Sequence, residues 1–169
     1  MSHLTVLHPG VQTLIQDLGR PGWAHLGVPP SGALDLEAMA LANRLVGNQA
    51  DLAGLEILLG GLRLRAETSV RIALTGALRD LAVAGNPRPW GEAVSVSPGD
   101  EIEVRSSADG LRGWLAVAGG LVSPAVLGSA SSDTLTQLGP PPLRAGDSLS
   151  VGPAACGCLR KGRGLKWWR

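Results

Sequence analysis

The chain has 169 residues, a length suited to one domain, and 44% of them are apolar, which is enough to build a core and excludes disorder for most of the chain. The formal net charge is only +1, so the electrostatic attraction that supplies most non-specific affinity for nucleic acid is absent. No apolar run approaches the ~20 residues that cross a bilayer, and the N-terminus MSHLTVLHPG lacks the layout of a signal peptide. We therefore expect a cytoplasmic protein with neither a membrane nor a nucleic acid as its partner.

The composition also indicates which side chains fill the core and whether the two cysteines form a disulfide. Because there is no Phe and no Tyr, aliphatic side chains and Ala must fill the core, with help from Trp23, Trp90 and Trp114. Cys156 and Cys158 are one residue apart, which is too close for an ordinary structural disulfide. We expect both to be free thiols in a reducing compartment.

The first third of the chain combines short strands with a shaped loop. The β-prone runs 4–7 and 13–16 are separated by His8-Pro9-Gly10, a turn signal that predicts an opening hairpin or a bent strand. Residues 19–32 contain four glycines and three prolines, which disfavour regular structure, and long ordered loops are often functional. His25 lies in this loop, but a lone loop histidine is typically exposed, and we do not assign it as a base.

Residues 35–47 predict one main α-helix. Helix-forming residues run from Leu36 without Gly or Pro until Gly47, which suits the left-handed stop of a helix. Asp35 is placed to cap the N-terminus. Apolar residues occur on nearly every side, so we expect the helix to be buried, and Asn43 with it.

Beyond Asp51 the apolar period falls to two, which predicts short strands. The runs that alternate or stay apolar over strand length are 62–65, 70–74, 81–83, 94–96, 102–104 and 115–117. Turn signals separate them at 86–89, 98–100, 108–110 and 119–120, and Gly-Asp precedes a similar strand pattern at both 98–104 and 145–151. Closely spaced strands with a single helix favour a mainly β fold, an antiparallel barrel or sandwich.

Familiar catalytic signatures are missing from the sequence, and the three histidines lie near the N-terminus, so neither a serine triad nor a zinc site is expected. The candidate site is the loop–helix segment, whose polar residues would converge if the loop folded back on the helix. Helix N–H groups beside Ser31 would then hold an anion or a carboxylate. The candidate binding residues are Gln16, Asp17, Arg20, Ser31, Asp35, Asn43 and Asn48.

Structural roles compete with binding for most of these residues. Asp35 is also explained as a helix cap, Arg20 as the ion-pair partner of Asp17, and Asn48 as a turn residue. A buried Asn43 must satisfy its amide, either by tying the loop to the helix or by contacting a ligand.

Two further polar segments carry alternative interpretations. Residues 128–134, rich in Ser, would bind a carboxylate or phosphate through hydroxyl and N–H groups, although such a run is more often a solvated turn. The C-terminal 161–169 mixes positive charge with Trp, as membrane- or nucleic-acid-binding segments do. It lacks an amphipathic period, however, so we interpret 153–169 as a disordered or aberrant tail.

Several segments arrive in an order and spacing that resemble the biotin-dependent carboxyltransferase, or allophanate hydrolase subunit 2, family, which includes the C subunit of 5-oxoprolinase. The resemblance covers residues 4 to about 152. The matching segments are Val6-Leu-His-Pro-Gly10, Gln16-Asp-Leu-Gly-Arg20, Gly27 to Ala33 with Asp35, Leu41 to Asn48, Leu55-Glu56, Thr75-Gly-Ala77, Leu115 to Gly120, Leu127-Gly-Ser129 and Ala145-Gly-Asp147.

The resemblance implies a cyclophilin-like antiparallel β-barrel, with residues 1–152 as the N-terminal subdomain of a family whose members are nearly twice as long. It implies a subunit of an ATP-dependent 5-oxoprolinase or related complex that acts on a small amide or cyclic amide beside a second, homologous subunit. ATP would bind in the complex, biotin is not expected, and this chain alone would bind no cofactor and be inactive. Self-association into a homo-oligomer is also compatible with the resemblance. The alternative functions are a non-catalytic module that antagonises a kinase inhibitor and a carboxyltransferase component of a urea carboxylase-like system.

Overall fold

Alternating apolar and polar residues give short strands, and a computed structural model describes their arrangement for residues 2–106 and 110–154. This part of the chain contains twelve strands, one α-helix and one turn of 3-10 helix at Ala24–Leu26. The helix α1 spans Leu36–Val46. The strands are β1 Ser2–Pro9, β2 Gln12–Gln16, β3 Gly54–Leu58, β4 Leu62–Ala66, β5 Val70–Gly76, β6 Leu81–Val83, β7 Asn86–Arg88, β8 Ala93–Val96, β9 Glu101–Val104, β10 Arg112–Val117, β11 Leu121–Val122 and β12 Ser148–Val151.

The strands pair into two antiparallel sheets. The larger sheet has the order β11-β12-β1-β4-β9-β6-β7, and the smaller has the order β2-β3-β10-β5-β8. The mainly β class with one main helix is therefore confirmed. Within the described residues, the strand pairing gives two open sheets and not the closed barrel that the resemblance implied.

One apolar cluster joins the two sheets. It takes Leu4 and Leu64 from the larger sheet and Ile57, Ile72 and Leu115 from the smaller one, all of them fully buried. Period-two alternation explains this arrangement in β4, where Leu62, Leu64 and Ala66 are buried and the two intervening arginines are exposed.

The helix packs on the smaller sheet through one face only. Met39, Ala42 and Val46 form a second apolar cluster with Ala73 and Trp114 from β5 and β10. The expectation that the helix is buried on all sides is wrong, because Leu36 and Leu41 are 51% and 42% exposed. A helix on the outer side of a sheet covers that sheet with a single face.

Two expectations about local structure are corrected. The hairpin alternative for runs 4–7 and 13–16 is wrong, because β1 lies in the larger sheet and β2 in the smaller one. Residues 86–88 form edge strand β7 and not a turn, with Pro87 opposite Ala82, since an edge strand tolerates a missing N–H. The chain reverses one step earlier, at Ala84 and Gly85, whose φ values of 50° and 76° are those of a tight hairpin turn.

Of the three tryptophans expected in the core, only Trp114 is fully buried, since Trp23 is half-buried and Trp90 is 40% exposed. Strand β3 was not predicted, because its sequence GLEIL shows no alternation. It is buried along nearly its whole length between β2 and β10.

The predictions for residues 155–169, including the two thiols, and for most of the turn at 108–110 lie outside the described residues. The division into a subdomain at 1–152 and a tail stays a prediction. Among the residues that the structure describes, there is no helix with the length and apolar character needed to cross a membrane.

Candidate functional site

Asp17 follows strand β2 and receives hydrogen bonds from a segment more than a hundred residues away. Its Oδ1 accepts from the hydroxyls of Ser129 and Ser131, both at 2.6 Å, and from the N–H of Gly19 at 2.7 Å. Its Oδ2 accepts from the N–H of Ala130 at 2.7 Å. The carboxylate therefore joins the start of the 17–34 loop to the 129–131 segment.

The same contacts control the charge of Asp17. Burial raises the pKa of its carboxyl, but the hydrogen bonds from Ser129, Ser131, Gly19 and Ala130 outweigh burial, and the net pKa lies below the usual value of 3.8. Asp17 is therefore ionised at neutral pH, and its carboxylate accepts hydrogen bonds from other residues of the chain.

Arg20 is 1% exposed and is held by oxygens of the chain. Its Nε donates to the carbonyl of Val126 at 3.2 Å, Nη1 donates to the hydroxyl of Ser31 at 3.3 Å, and Nη2 donates to the carbonyl of Ser131. The alternative that Arg20 pairs with Asp17 is wrong. Arg20 instead ties the Ser31 end of the loop to the segment that binds Asp17.

Gln16 ends strand β2 beside Ser132. Its Nε2 donates to the carbonyl of Ser132 at 3.0 Å, and the N–H of Ser132 donates to the carbonyl of Ile15 at 2.9 Å. Both side chains are buried, yet Gln16 Oε1 and Ser132 Oγ have no hydrogen-bond partner among the described residues. A buried polar group of this kind lowers the stability of the fold unless a ligand or a water molecule forms a hydrogen bond with it.

Asn43 and Asn48 fasten the other end of the helix. The amide of Asn43, fully buried as predicted, donates to the carbonyl of Leu52 at 2.8 Å and accepts from Asn48 Nδ2 at 2.9 Å. Asn48 also donates to the carbonyl of Val117 and accepts from the N–H of Gly119, both at 2.8 Å. The two amides thus fix α1 to the end of β10, and Asn48 does more than form a turn.

Asp35 caps the helix as predicted, since its Oδ1 accepts from the N–H of Ala38 at 2.8 Å. Close to it, the loop is anchored by a residue that was not among the candidate binding residues, although it belongs to the matching segment Leu55-Glu56. Glu56, 5% exposed, accepts from the N–H of Leu34 at 2.8 Å and pairs with Arg112 at 3.0 Å. A carboxylate inside an otherwise apolar strand was the signal available for it.

The seven predicted residues therefore fall into separate groups of hydrogen bonds. Gln16, Asp17 and Arg20 meet the 126–132 segment, and Ser31 joins this group through its bond from Arg20. Asn43 and Asn48 meet the end of β10, and Asp35 caps the helix. The solvated-turn interpretation of residues 128–134 is wrong for its core, because Ser129, Ser131 and Ser132 are buried. The carboxylate that this segment binds is that of Asp17. The spacing of Ser129 and Ser131, two residues apart, was the sequence signal that both hydroxyls could donate to one acceptor.

A cavity of about 440 Å³ adjoins this network and is lined by parts of the 132–144 segment. Ser132, Gln137 and Arg144 supply polar groups, and Pro140–Pro142 supply an apolar wall. Its volume falls within the range of small-molecule sites. Within the described residues, no three His, Cys, Asp or Glu side chains come together as metal ligands would.

This mainly β domain, with its loop fastened to a Ser-rich segment, matches a known class. The family model described as "Carboxyltransferase domain, subdomain A and B" matches residues 26–162. The chain belongs to this carboxyltransferase family, and the resemblance seen in the sequence is confirmed.

Relatives within the family carry more than one name. The chain is 38% identical over 152 residues to the C subunit of 5-oxoprolinase from Escherichia coli strain K12, a match that covers 88% of this chain and 49% of that protein. It is 36% identical over 132 residues to urea amidolyase of Saccharomyces cerevisiae, covering 78% of this chain and 7% of that protein. The crystal structure of the K. lactis urea amidolyase superposes with a TM-score of 0.85 at 35% identity, covering 88% of this chain and 9% of that one. The chain thus spans about half the length of the 5-oxoprolinase relative.

Proposed function

We propose that this chain supplies the N-terminal half of a subunit in an ATP-dependent 5-oxoprolinase or related amide-processing complex, acting beside a second, homologous subunit. The observation that carries the proposal is the 38% identity to the E. coli 5-oxoprolinase C subunit, which extends over 152 residues. The corresponding subunit from Haemophilus influenzae is 32% identical over 151 residues and supports the same assignment.

The geometry is consistent with a positioning role for the loop–helix segment. Asp17 and Arg20 bond the loop to the 126–131 segment, and Glu56 bonds the loop at Leu34. The charged groups of all three residues form hydrogen bonds within this chain. In this proposal the segment forms one rigid wall of a substrate site, and the reacting groups come from the remaining half and from the partner subunits.

A component of a urea-processing enzyme is the second candidate, because the match to the K. lactis urea amidolyase has a TM-score of 0.85. The two candidates differ in the substrate that they use. The test joins this chain to the remaining half of the subunit and co-purifies the full-length version with the second homologous subunit. Assays with 5-oxoproline or urea in the presence and absence of ATP then separate the two candidates.

We expect glutamate to be released from 5-oxoproline only with ATP, and no turnover of urea. Consumption of urea without consumption of 5-oxoproline would reverse the assignment. No association with any homologous subunit would contradict both candidates. The isolated chain serves as the negative control, since we expect it to turn over neither compound.

A further inference from the structure

The outer face of helix α1 carries a stripe of residues that the described part of the chain leaves uncovered. Glu37, Leu41 and Arg44 occupy positions i, i+4 and i+7 of the helix, so their side chains lie on one face. Glu37 and Arg44 are exposed, and Leu41 is 42% exposed. The opposite face packs on the smaller sheet through Met39 and Ala42. The outer stripe, residues 37, 41 and 44, therefore points away from the fold.

The two charges of the outer stripe do not neutralise each other within one helix. Seven residues separate Glu37 from Arg44, which is about 10.5 Å along the helix axis. Ion pairs within a helix form between residues three or four apart. Neither side chain forms an ion pair with any residue that the structure describes. A negative and a positive charge are therefore available to a second molecule.

The order of residues on the outer stripe is complementary to itself when it is reversed. If two α1 helices lie antiparallel about a twofold axis, Glu37 of each copy can face Arg44 of the other. In that register, Leu41 of each copy lies opposite the half-buried Ala40 of the other, whose small side chain lets the helix axes approach closely. The antiparallel arrangement also places the positive end of each helix dipole beside the negative end of the other.

We propose that the outer stripe pairs two copies of this chain through antiparallel α1 helices. The self-complementary charges favour a second copy over an unrelated partner, since a partner with another surface has no need of this symmetric order. One helix of 11 residues from each copy offers less than the roughly 1,600 Å² of a standard stable interface. The pairing is consequently weak and reversible, and it does not depend on the proposed function.

Sedimentation equilibrium of the 169-residue chain, from about 1 µM to about 1 mM, measures the pairing. We expect a reversible change from monomer to dimer across this range. Glu37→Arg and Arg44→Glu each place like charges opposite one another at two symmetric positions and should weaken the dimer by about tenfold.

An equimolar mixture of Glu37→Arg and Arg44→Glu is the sharpest test of the register. In a mixed dimer, both charged positions of one variant face opposite charges on the other. The mixture should therefore associate as strongly as the wild type, although neither variant does so alone. This recovery requires contacts between two molecules and in the antiparallel direction.

Matched variants elsewhere on the surface control for general effects of charge and polarity. Leu41→Gln should weaken the dimer by about tenfold, because the apolar contact is lost twice. Leu135→Gln, at a leucine that is 84% exposed, should not change it. Glu92→Arg, at an exposed glutamate just before β8, controls for Glu37→Arg in the same way. Melting temperatures measured at low protein concentration check that every variant folds.

A chain that remains monomeric at about 1 mM overturns the proposal. A dimer that responds to Glu37→Arg and Arg44→Glu no more than to Glu92→Arg also overturns it, as does a mixture that fails to recover. If the chain is monomeric and Leu41→Gln abolishes co-purification of the full-length version with the second homologous subunit, the outer stripe binds that subunit and not a second copy. Turnover by the assembled complex judges the proposed function separately.

Discussion

Asp17 collects four hydrogen bonds from Gly19, Ser129, Ala130 and Ser131, three of them from residues 112 to 114 positions away. A carboxylate so thoroughly bonded cannot also bind substrate without breaking the fold. The same holds for buried Arg20, because its guanidinium donates hydrogen bonds to oxygens of Val126, Ser31 and Ser131. These polar residues act by holding the loop in one conformation.

Asp17→Asn should lower the free energy of unfolding by about 2 kcal/mol, because an amide offers one weaker acceptor oxygen where the carboxylate takes four charge-assisted bonds. Urea titration measures this change. Asp133→Asn is the control, since Asp133 bonds mainly within its own exposed turn and should cost much less. Equal effects for the two variants would contradict the role of Asp17.

The lowered pKa of Asp17 makes part of the stability dependent on pH. A carboxyl whose folded pKa lies below its unfolded value, about 3.9, stabilises the fold above that value, and this contribution is lost as the pH falls through the folded pKa. The difference in unfolding free energy between wild type and Asp17→Asn should therefore be constant near neutrality and shrink below about pH 4. A difference that grows on acidification would contradict the sign.

Asn43→Ala should destabilise the fold by roughly 1–3 kcal/mol, because the carbonyl of Leu52 and the amide of Asn48 lose their buried partner. Thermal unfolding measures the loss. Asn86→Ala is the matched control, since the side chain of the exposed Asn86 bonds the carbonyl of Ala84 and no other residue that the structure describes. A melting temperature as high as that of the control would refute the fastening role of Asn43.

Helix α1 is held at both ends by side chains that suit its dipole. Asp35 bonds an N–H at the N-terminus, and Arg71 Nη2 donates to the carbonyl of Val46 at 2.6 Å near the C-terminus. Between them, the hydroxyl of Thr75 donates to the carbonyl of Ala38 at 2.7 Å and joins the helix to β5. The helix therefore depends on the sheet as much as on its own propensity.

Asp35→Ala should cost about 1 kcal/mol, since it removes the acceptor for the Ala38 N–H, whereas Asp35→Ser should restore most of the loss because Ser is also a good cap. Equilibrium unfolding in urea compares the three proteins. If Ser and Ala destabilise the protein equally, the contribution of Asp35 comes from its charge and not from the cap.

Elements that depend on local patterns could be predicted, and contacts between distant segments could not. The helix with its cap, and strands such as β4 and β9, follow from apolar periodicity and turn residues. Strand β3 was missed because burial on both faces removes the alternation. The bond from Ser131 to Asp17 spans 114 residues, and only the three-dimensional arrangement of the sheets brings the two segments together.

The two sheets enclose one apolar cluster, and the loop, the helix and the Ser-rich segment are fastened around the smaller sheet. The loop is held by Glu56 of β3 and by the 126–131 segment, and the chain spans about half the length of the E. coli 5-oxoprolinase relative. We expect this half to be interchangeable with the corresponding half of that relative.

A chimera tests this expectation most directly. It joins residues 2–154 of this chain to the remaining half of the E. coli 5-oxoprolinase C subunit and is assembled with that protein's partner subunits. We predict ATP-dependent release of glutamate from 5-oxoproline, weakened when the chimera carries Asp17→Asn. A chimera that folds and assembles with the partner subunits but releases no glutamate would contradict the assignment of this chain as the N-terminal half of such a protein.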